Sequence, residues 1–188
     1  MKHVELQQLL TEFAADRLAL LQRHEAGARA VSHYDFNNTY QYVINREETH
    51  LGWLLNALAD FGTPLPGPSR TLPVPSAPKP AKKADAATHK DILEDDAFHL
   101  GAFVENWRPR VANMTHARHR TMLDVIFGES LEHKRLFDQA AAGFDQQLQD
   151  VEGLAGGGQA LAVARQPPLG DIEEEGSEFV NGHPRTQP

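Results

Sequence analysis

The sequence predicts an all-α protein, a four-helix bundle assembled from two helical hairpins. Three observations carry the prediction. Large apolar residues recur at helical spacing in four separate blocks, with none of the strict alternation a half-buried strand would need. No run of β-branched residues bounded by turn signals occurs anywhere, so no sheet is expected. Seven of the twelve prolines crowd into residues 63–83, between the second and third blocks.

The first block, residues 4–24, places Leu6, Leu9, Leu10, Phe13, Leu20 and Leu21 on one stripe, the pattern of a long amphipathic helix. Residues 32–38 (SHYDFNN) are of helix-starting types. Beyond them Tyr40, Val43, Ile44, His50, Trp53, Leu54 and Leu58 form a second stripe that Gly62 and Pro64 stop. In residues 63–83 proline removes amide donors and fixes φ too often for a helix or a central strand, so an extended, polyproline-like crossover is expected. A third helix is expected from about 88 to 107, with Ile92, Leu93, His99, Leu100, Phe103, Val104 and Trp107 inward and Pro109 kinking or ending it. A fourth begins near 113–115, carries Met122, Val125, Ile126, His133, Leu136, Phe137 and Phe144, and fades by about 149. Residues 150–188, with GLAGGGQ and an acidic run, hold few large apolar groups to offset the entropy of ordering and are expected to form a disordered, flexible acidic tail. The expected organisation is therefore a bundle over 1–149 (hairpins 1–62 and 88–149, crossover 63–87) followed by that tail.

Composition narrows the function. A net charge of -8 argues against nucleic acid as a partner, since affinity for a polyphosphate comes mainly from Lys and Arg. The absence of cysteine excludes disulfides, thiolate metal sites and cysteine nucleophiles, so a transition metal must use His and carboxylate. The start, MKHVELQQLL, lacks the apolar run of a signal peptide, and no segment is apolar for the roughly 18 residues of a spanning helix. The expectation is a cytoplasmic protein with no membrane partner.

The chemistry-bearing stretch is REETHLGWLL. Residues three apart share a helix face, so Glu47 and His50 project together in line with Val43, Trp53 and Leu54, while Glu48 turns toward solvent. A carboxylate and an imidazole on the core side are costly unless paired, and a metal bound by both is one way to pair them. The other is a salt bridge from Glu47 to Arg46 or another basic group near the bundle edge, beside a hydrogen-bonded core histidine. In ESLEHKRLF of the fourth helix, His133 and Glu129 share the inward face. Glu132 reads as a surface charge, and the position that would complete a Glu-x-x-His holds Ser130. Counting back from the two turns brings Asp16 of the first helix, and Asp96 with His99 of the third, roughly level with these pairs. His116 and His119, in the basic cluster HARHR, read as solvated. Ser/His/Asp catalysis and phosphate loops have no signature here.

On these residues and the long link, the chain resembles the ferritin-like superfamily, and in particular rubrerythrin-type di-iron carboxylate bundles. In that architecture two helices give a carboxylate each and two give a Glu-x-x-His. The resemblance covers about residues 4–149. It implies a ferritin-like bundle binding iron, as a di-iron centre, or manganese, for ferroxidase- or peroxidase-type oxidoreductase chemistry. Glu47 and Glu129 would bridge or chelate, His50 and His133 would be terminal ligands, and Asp16 and Asp96, with His99 beside it, would close the site. The fourth-helix half departs from the pattern, since Glu129 falls one residue early. The alternative is a metal-free helical bundle acting as an interaction or scaffold module, pairing as a homodimer or docking partners through the proline-rich link and acidic tail.

Overall fold

The computed structural model describes residues 3–31, 34–75 and 84–156. They form four α-helices, α1 (His3–Ala30), α2 (Tyr34–Ala59), α3 (Ala84–Ala112) and α4 (Ala117–Gly156), and no strand occurs among the described residues. The expected tail lies, from residue 157 on, outside the described residues, as do 76–83 of the link. No described helix is long and apolar enough to cross a membrane.

The helix ends follow from local chemistry. At the end of α1, Asn37 Nδ2 donates to the carbonyls of Ala28 (2.7 Å) and Val31 (3.3 Å), where a helix leaves carbonyls to be capped. At the end of α2, Gly62 takes a positive φ of 64°, and the amides of Gly62 and Thr63 donate to Ala59 O (2.9 Å) and Leu58 O (3.1 Å). This is the left-handed glycine cap that satisfies the last carbonyls. Of the two outcomes expected at Pro109, a kink or an end, the end is corrected: α3 continues through it to Ala112. Proline removes one hydrogen bond of a helix, and so close to the end the remaining turn is held by tertiary packing, with Trp107 and Val111 buried on either side. The fourth helix also runs beyond its expected fade at 149, to Gly156.

Helix α1 packs on α2 and α3, and α4 packs on α3 and α2. Contacts fix the directions: Gln7 meets Thr63, Arg17 meets His50 and His24 meets Glu47, so α1 and α2 are antiparallel. Phe13 lies at the centre of the lower core, 5.1 Å from the rings of both Phe103 and Trp107 and 5.8 Å from Phe127. Each such ring removed from water contributes roughly 1.5–3 kcal/mol. The first part of the link lies along α1. Ser69 N donates to Ala15 O at 3.0 Å, the Arg23 guanidinium donates to Pro73 O, and Leu65, Leu72 and Val74 pack on the core.

Candidate functional site

The middle of the bundle is polar. Arg17, Arg23, His24, Glu47, His50, Asp96, Ser130 and His133 are all buried, none more than 1% exposed. Two arginines on α1, six residues apart, organise them into two nodes.

Arg17 follows Phe13 by four residues and precedes Leu20 by three, so helical geometry puts it on the same inward stripe. Its Nη2 donates to His50 Nδ1 at 2.9 Å and lies 3.3 Å from Glu47 Oε1. Its Nη1 donates to Ser130 Oγ at 3.0 Å, and that hydroxyl donates to Ile126 O at 2.7 Å. The guanidinium carbon also lies 5.6 Å from the centre of the Phe103 ring, within cation–π range. Thus α1, α2 and α4 meet on one cation.

The surrounding imidazoles have defined roles. His50 accepts from Arg17 at Nδ1, so the proton sits on Nε2, which donates to Glu129 Oε2 at 2.9 Å. Burial and the neighbouring Arg17 charge push the His50 pKa down to about 4, against the opposing pull of Glu129, and keep the ring neutral. Glu129 is held outside by Arg46, whose Nε and Nη2 donate at 2.9 and 2.6 Å, and its pKa is lowered by that fork. His24 Nδ1 lies 2.8 Å from Glu47 Oε2. Burial opposes a charge on His24, but Glu47 outweighs it and raises the pKa. Burial likewise tends to raise the Glu47 pKa, yet the charges of His24 and Arg17 together hold it at about 2. His133 stacks near His50, with ring centres 6.1 Å apart, and burial pushes its pKa to about 4. Arg17 Nε, His24 Nε2, Glu47 Oε1 and His133 Nδ1 are buried without a hydrogen-bond partner among the described residues.

The second node is closed. Arg23 Nε donates to Asp96 Oδ1 at 2.7 Å, its Nη2 to Asp95 Oδ2 at 2.8 Å and its Nη1 to Pro73 O. The Tyr40 hydroxyl donates to the other Asp96 oxygen, and burial beside that carboxylate drives the phenol pKa far up. Gly27 makes room for this contact: a Cβ there would lie 2.7 Å from the Tyr40 oxygen.

The expected site residues therefore separate. Glu47, His50, Glu129 and His133 come together, with Arg17 in their midst. Asp96 belongs to the Arg23 node. Asp16 instead accepts from Trp107 Nε1 at 2.7 Å, and half-buried His99 lies 3.4 Å from Asp95 one turn earlier on its own helix. Glu48 is exposed, and Glu132 pairs on the surface with Arg135 at 2.8 Å, both as expected. His119 corrects the solvated reading of its cluster: it is 5% exposed, and its Nδ1 lies 2.9 Å from that of His116.

Tested against an iron or manganese centre, the residues do not fit. A guanidinium occupies the point on which His50 Nδ1 and Glu47 Oε1 converge, and a second positive charge there would be repelled. Among the described residues, no three His, Asp or Glu side chains are arranged to hold a metal ion. Reading the sequence missed Arg17, Arg23, His24 and Tyr40 as members of the site. Their helical register was the available signal, since Arg17, Leu20, Leu21 and His24 fall on one inward stripe.

The fold and site define a four-helix bundle with two buried arginine-centred charge nodes. No family model, curated protein or solved structure matches the chain.

Proposed function

We propose that the chain is a metal-free bundle of ferritin-like architecture that serves as an interaction or scaffold module, not an oxidase. The observation that carries this is Arg17: a fixed protein cation lies among the residues that would otherwise hold iron or manganese. A buried guanidinium cannot lose its proton, so it neutralises Glu47 permanently and needs no imported ion. It also has no redox chemistry. The ferritin-like order is supported by the antiparallel hairpin of α1 and α2 and by the link, which runs along α1 from Thr63 near Gln7 to Pro73 beside Arg23.

In this reading the interior charges specify which helices meet and at what height, because each charge left without its partner is penalised. Partners are then met by the outside of the bundle. The first part of the proline-rich link packs on α1, so docking in this reading falls to the exposed helix surfaces. The test is metal analysis of full-length protein grown with iron and, separately, with manganese, followed by an assay of ferroxidase and peroxidase turnover. The expected result is substoichiometric metal and no turnover. One or two ions per chain, lost in a Glu47→Ala/His50→Ala double variant, would overturn the reading.

A further inference from the structure

We infer that the cleft between the end of α2 and the start of α4 is a binding site for a small aromatic carboxylate, with Arg118 receiving the carboxylate and the ring lying against Trp53 and Met122. Such a site goes beyond the scaffold reading and does not depend on it.

The seam between these two helices is closed at its middle, where Arg46 of α2 grips Glu129 of α4. Toward the start of α4 it opens into a cleft of about 260 Å³ lined by Trp53, Asn56, Ala57, Arg118, His119 and Met122. An indole, a thioether and a methyl group give apolar walls, and the polar groups are few. That is the ordinary form of a small-molecule site. Its size limits the ligand, since an apolar cavity of about 150 Å³ takes a benzene ring and drug-sized ligands need roughly 300 Å³ or more. One ring with a short polar group falls between. Trp53 backs onto His50, with ring centres 5.3 Å apart, so the indole is a supported wall on which a ring can stack.

The polar groups decide the sign of the ligand. Arg118 is exposed and forms no ion pair among the described residues, although the chain carries a net charge of -8. Arg46, Arg110 and Arg135, by contrast, are each held by a glutamate. A guanidinium with its fork uncommitted matches a carboxylate, and no acidic side chain among the described residues lines the cleft to compete. His119, 5% exposed in the cleft wall, is a second and independent sign. Its Nδ1 is engaged with His116, but its Nε2 is buried without a hydrogen-bond partner among the described residues. An unsatisfied buried nitrogen calls for a partner, and in the wall of a cleft a ligand can supply one. Burial, His116 and Arg118 all lower the His119 pKa, so the ring is a neutral hydrogen-bonding group and the positive charge of the cleft is that of Arg118.

The experiment titrates full-length, isotope-labelled wild type and Arg118→Gln with three probes. Benzoate has both ring and carboxylate, benzamide the ring without the charge, and acetate the carboxylate without the ring. NMR follows the indole N–H signals of Trp53 and Trp107 and the ring signals of His119. The expected Kd of benzoate is on the order of 1 mM, as suits so small a ligand, with benzamide and acetate each about tenfold weaker. Benzoate should move the Trp53 and His119 signals and leave that of Trp107, whose N–H donates to Asp16, in place. Arg118→Gln, a change at an exposed position, should weaken benzoate about tenfold, to the level of benzamide. A Trp53 signal that benzoate does not move would overturn the inference, as would movement of the Trp107 signal instead. Benzamide binding as tightly as benzoate to the wild type would also overturn it, a comparison that needs no variant. So would undiminished benzoate binding by Arg118→Gln.

Discussion

Arg17 and Arg23 lie on the same helix, both fully buried, yet their surroundings differ in kind. Around Arg23 every nitrogen has an acceptor: two aspartates and a backbone carbonyl, with Tyr40 satisfying the remaining oxygen of Asp96. Around Arg17 the one fully buried carboxylate is 3.3 Å away, the other acceptors are an imidazole and a hydroxyl, and Nε has none among the described residues. Buried charges are tolerated when both charge and hydrogen bonds are balanced. The Arg23 node meets both conditions and fastens the link to α1 and α3. The Arg17 node meets the first better than the second.

The largest effect should come from breaking the charge balance at the less satisfied node. Glu47→Ala leaves Arg17 without its buried carboxylate and His24 without its acceptor. It should cost about 3–5 kcal/mol in urea unfolding, the range for a buried pair reduced to one partner. The matching change, Asp96→Ala, leaves Arg23 with Asp95 and Pro73 O, so a smaller loss of about 2–3 kcal/mol is expected. Equal losses, or a larger one at Asp96, would break the distinction between the nodes.

Arg23→Met should cost about 3 kcal/mol, since Asp96 keeps only Tyr40 in a buried setting, and it should also free the link. Amide exchange at Ser69, protected by Ala15 O, is the readout: it should quicken in Arg23→Met and stay slow in Arg17→Gln. Fast exchange in both would mean that the link is not fastened by the second node.

Acid separates the nodes again. His50 and His133 have folded pKa values of about 4, below the ordinary 6.5, so the unfolded chain binds more protons between those values. Their contribution to stability is then fully present above about pH 6.5 and falls as the pH drops toward 4, by a few kcal/mol in all. His24, whose pKa is raised, instead contributes stability that is present below about pH 6.5 and lost as the pH rises. Glu47, held at about 2, adds a second loss between its ordinary 4.5 and 2, again as the pH falls. The Arg23 node contains no histidine among its direct partners and should contribute nothing to the first phase. Measuring the urea midpoint from pH 7.5 to 4.5 checks this, with His133→Ala expected to flatten the slope. An unchanged midpoint between pH 7 and 5 would contradict the burial of two neutral imidazoles.

How much of this was legible in the sequence depended on whether a residue announced itself by type. The four helices were legible because stripes such as Leu9, Leu10, Phe13, Leu20 and Leu21 repeat at helical spacing over many turns. Boundaries failed where tertiary packing decides, as at Pro109. Glu47, His50 and His133 stood out as acid and imidazole among apolar neighbours. Arg17 and Arg23 did not, because arginine is so often a surface residue, and a register places a residue on a face without saying which partners meet it there. Asp16 and Asp96 show the same limit in reverse: the level-matching put each at a plausible height, but Trp107 and Arg23, which a one-dimensional count cannot see, claim them.

The smallest effect should come from Ser130, the residue that stands where a Glu-x-x-His would place its glutamate. Its hydroxyl accepts from Arg17 Nη1 and donates to Ile126 O one turn back, so it joins α1 to α4 without a charge. Ser130→Ala removes that acceptor, and Nη1 joins Nε among the unpartnered nitrogens. The expected loss is about 1–2 kcal/mol, the penalty for one buried donor left unsatisfied. Because the change spares Glu47 and His50, it should leave the pH dependence of stability as it is in the wild type, and denaturation at pH 7 and pH 5 tests both points together. A loss matching that of Glu47→Ala would place the hydroxyl on a par with the carboxylate. The guanidinium would then be held as much by the geometry of its fork as by its charge.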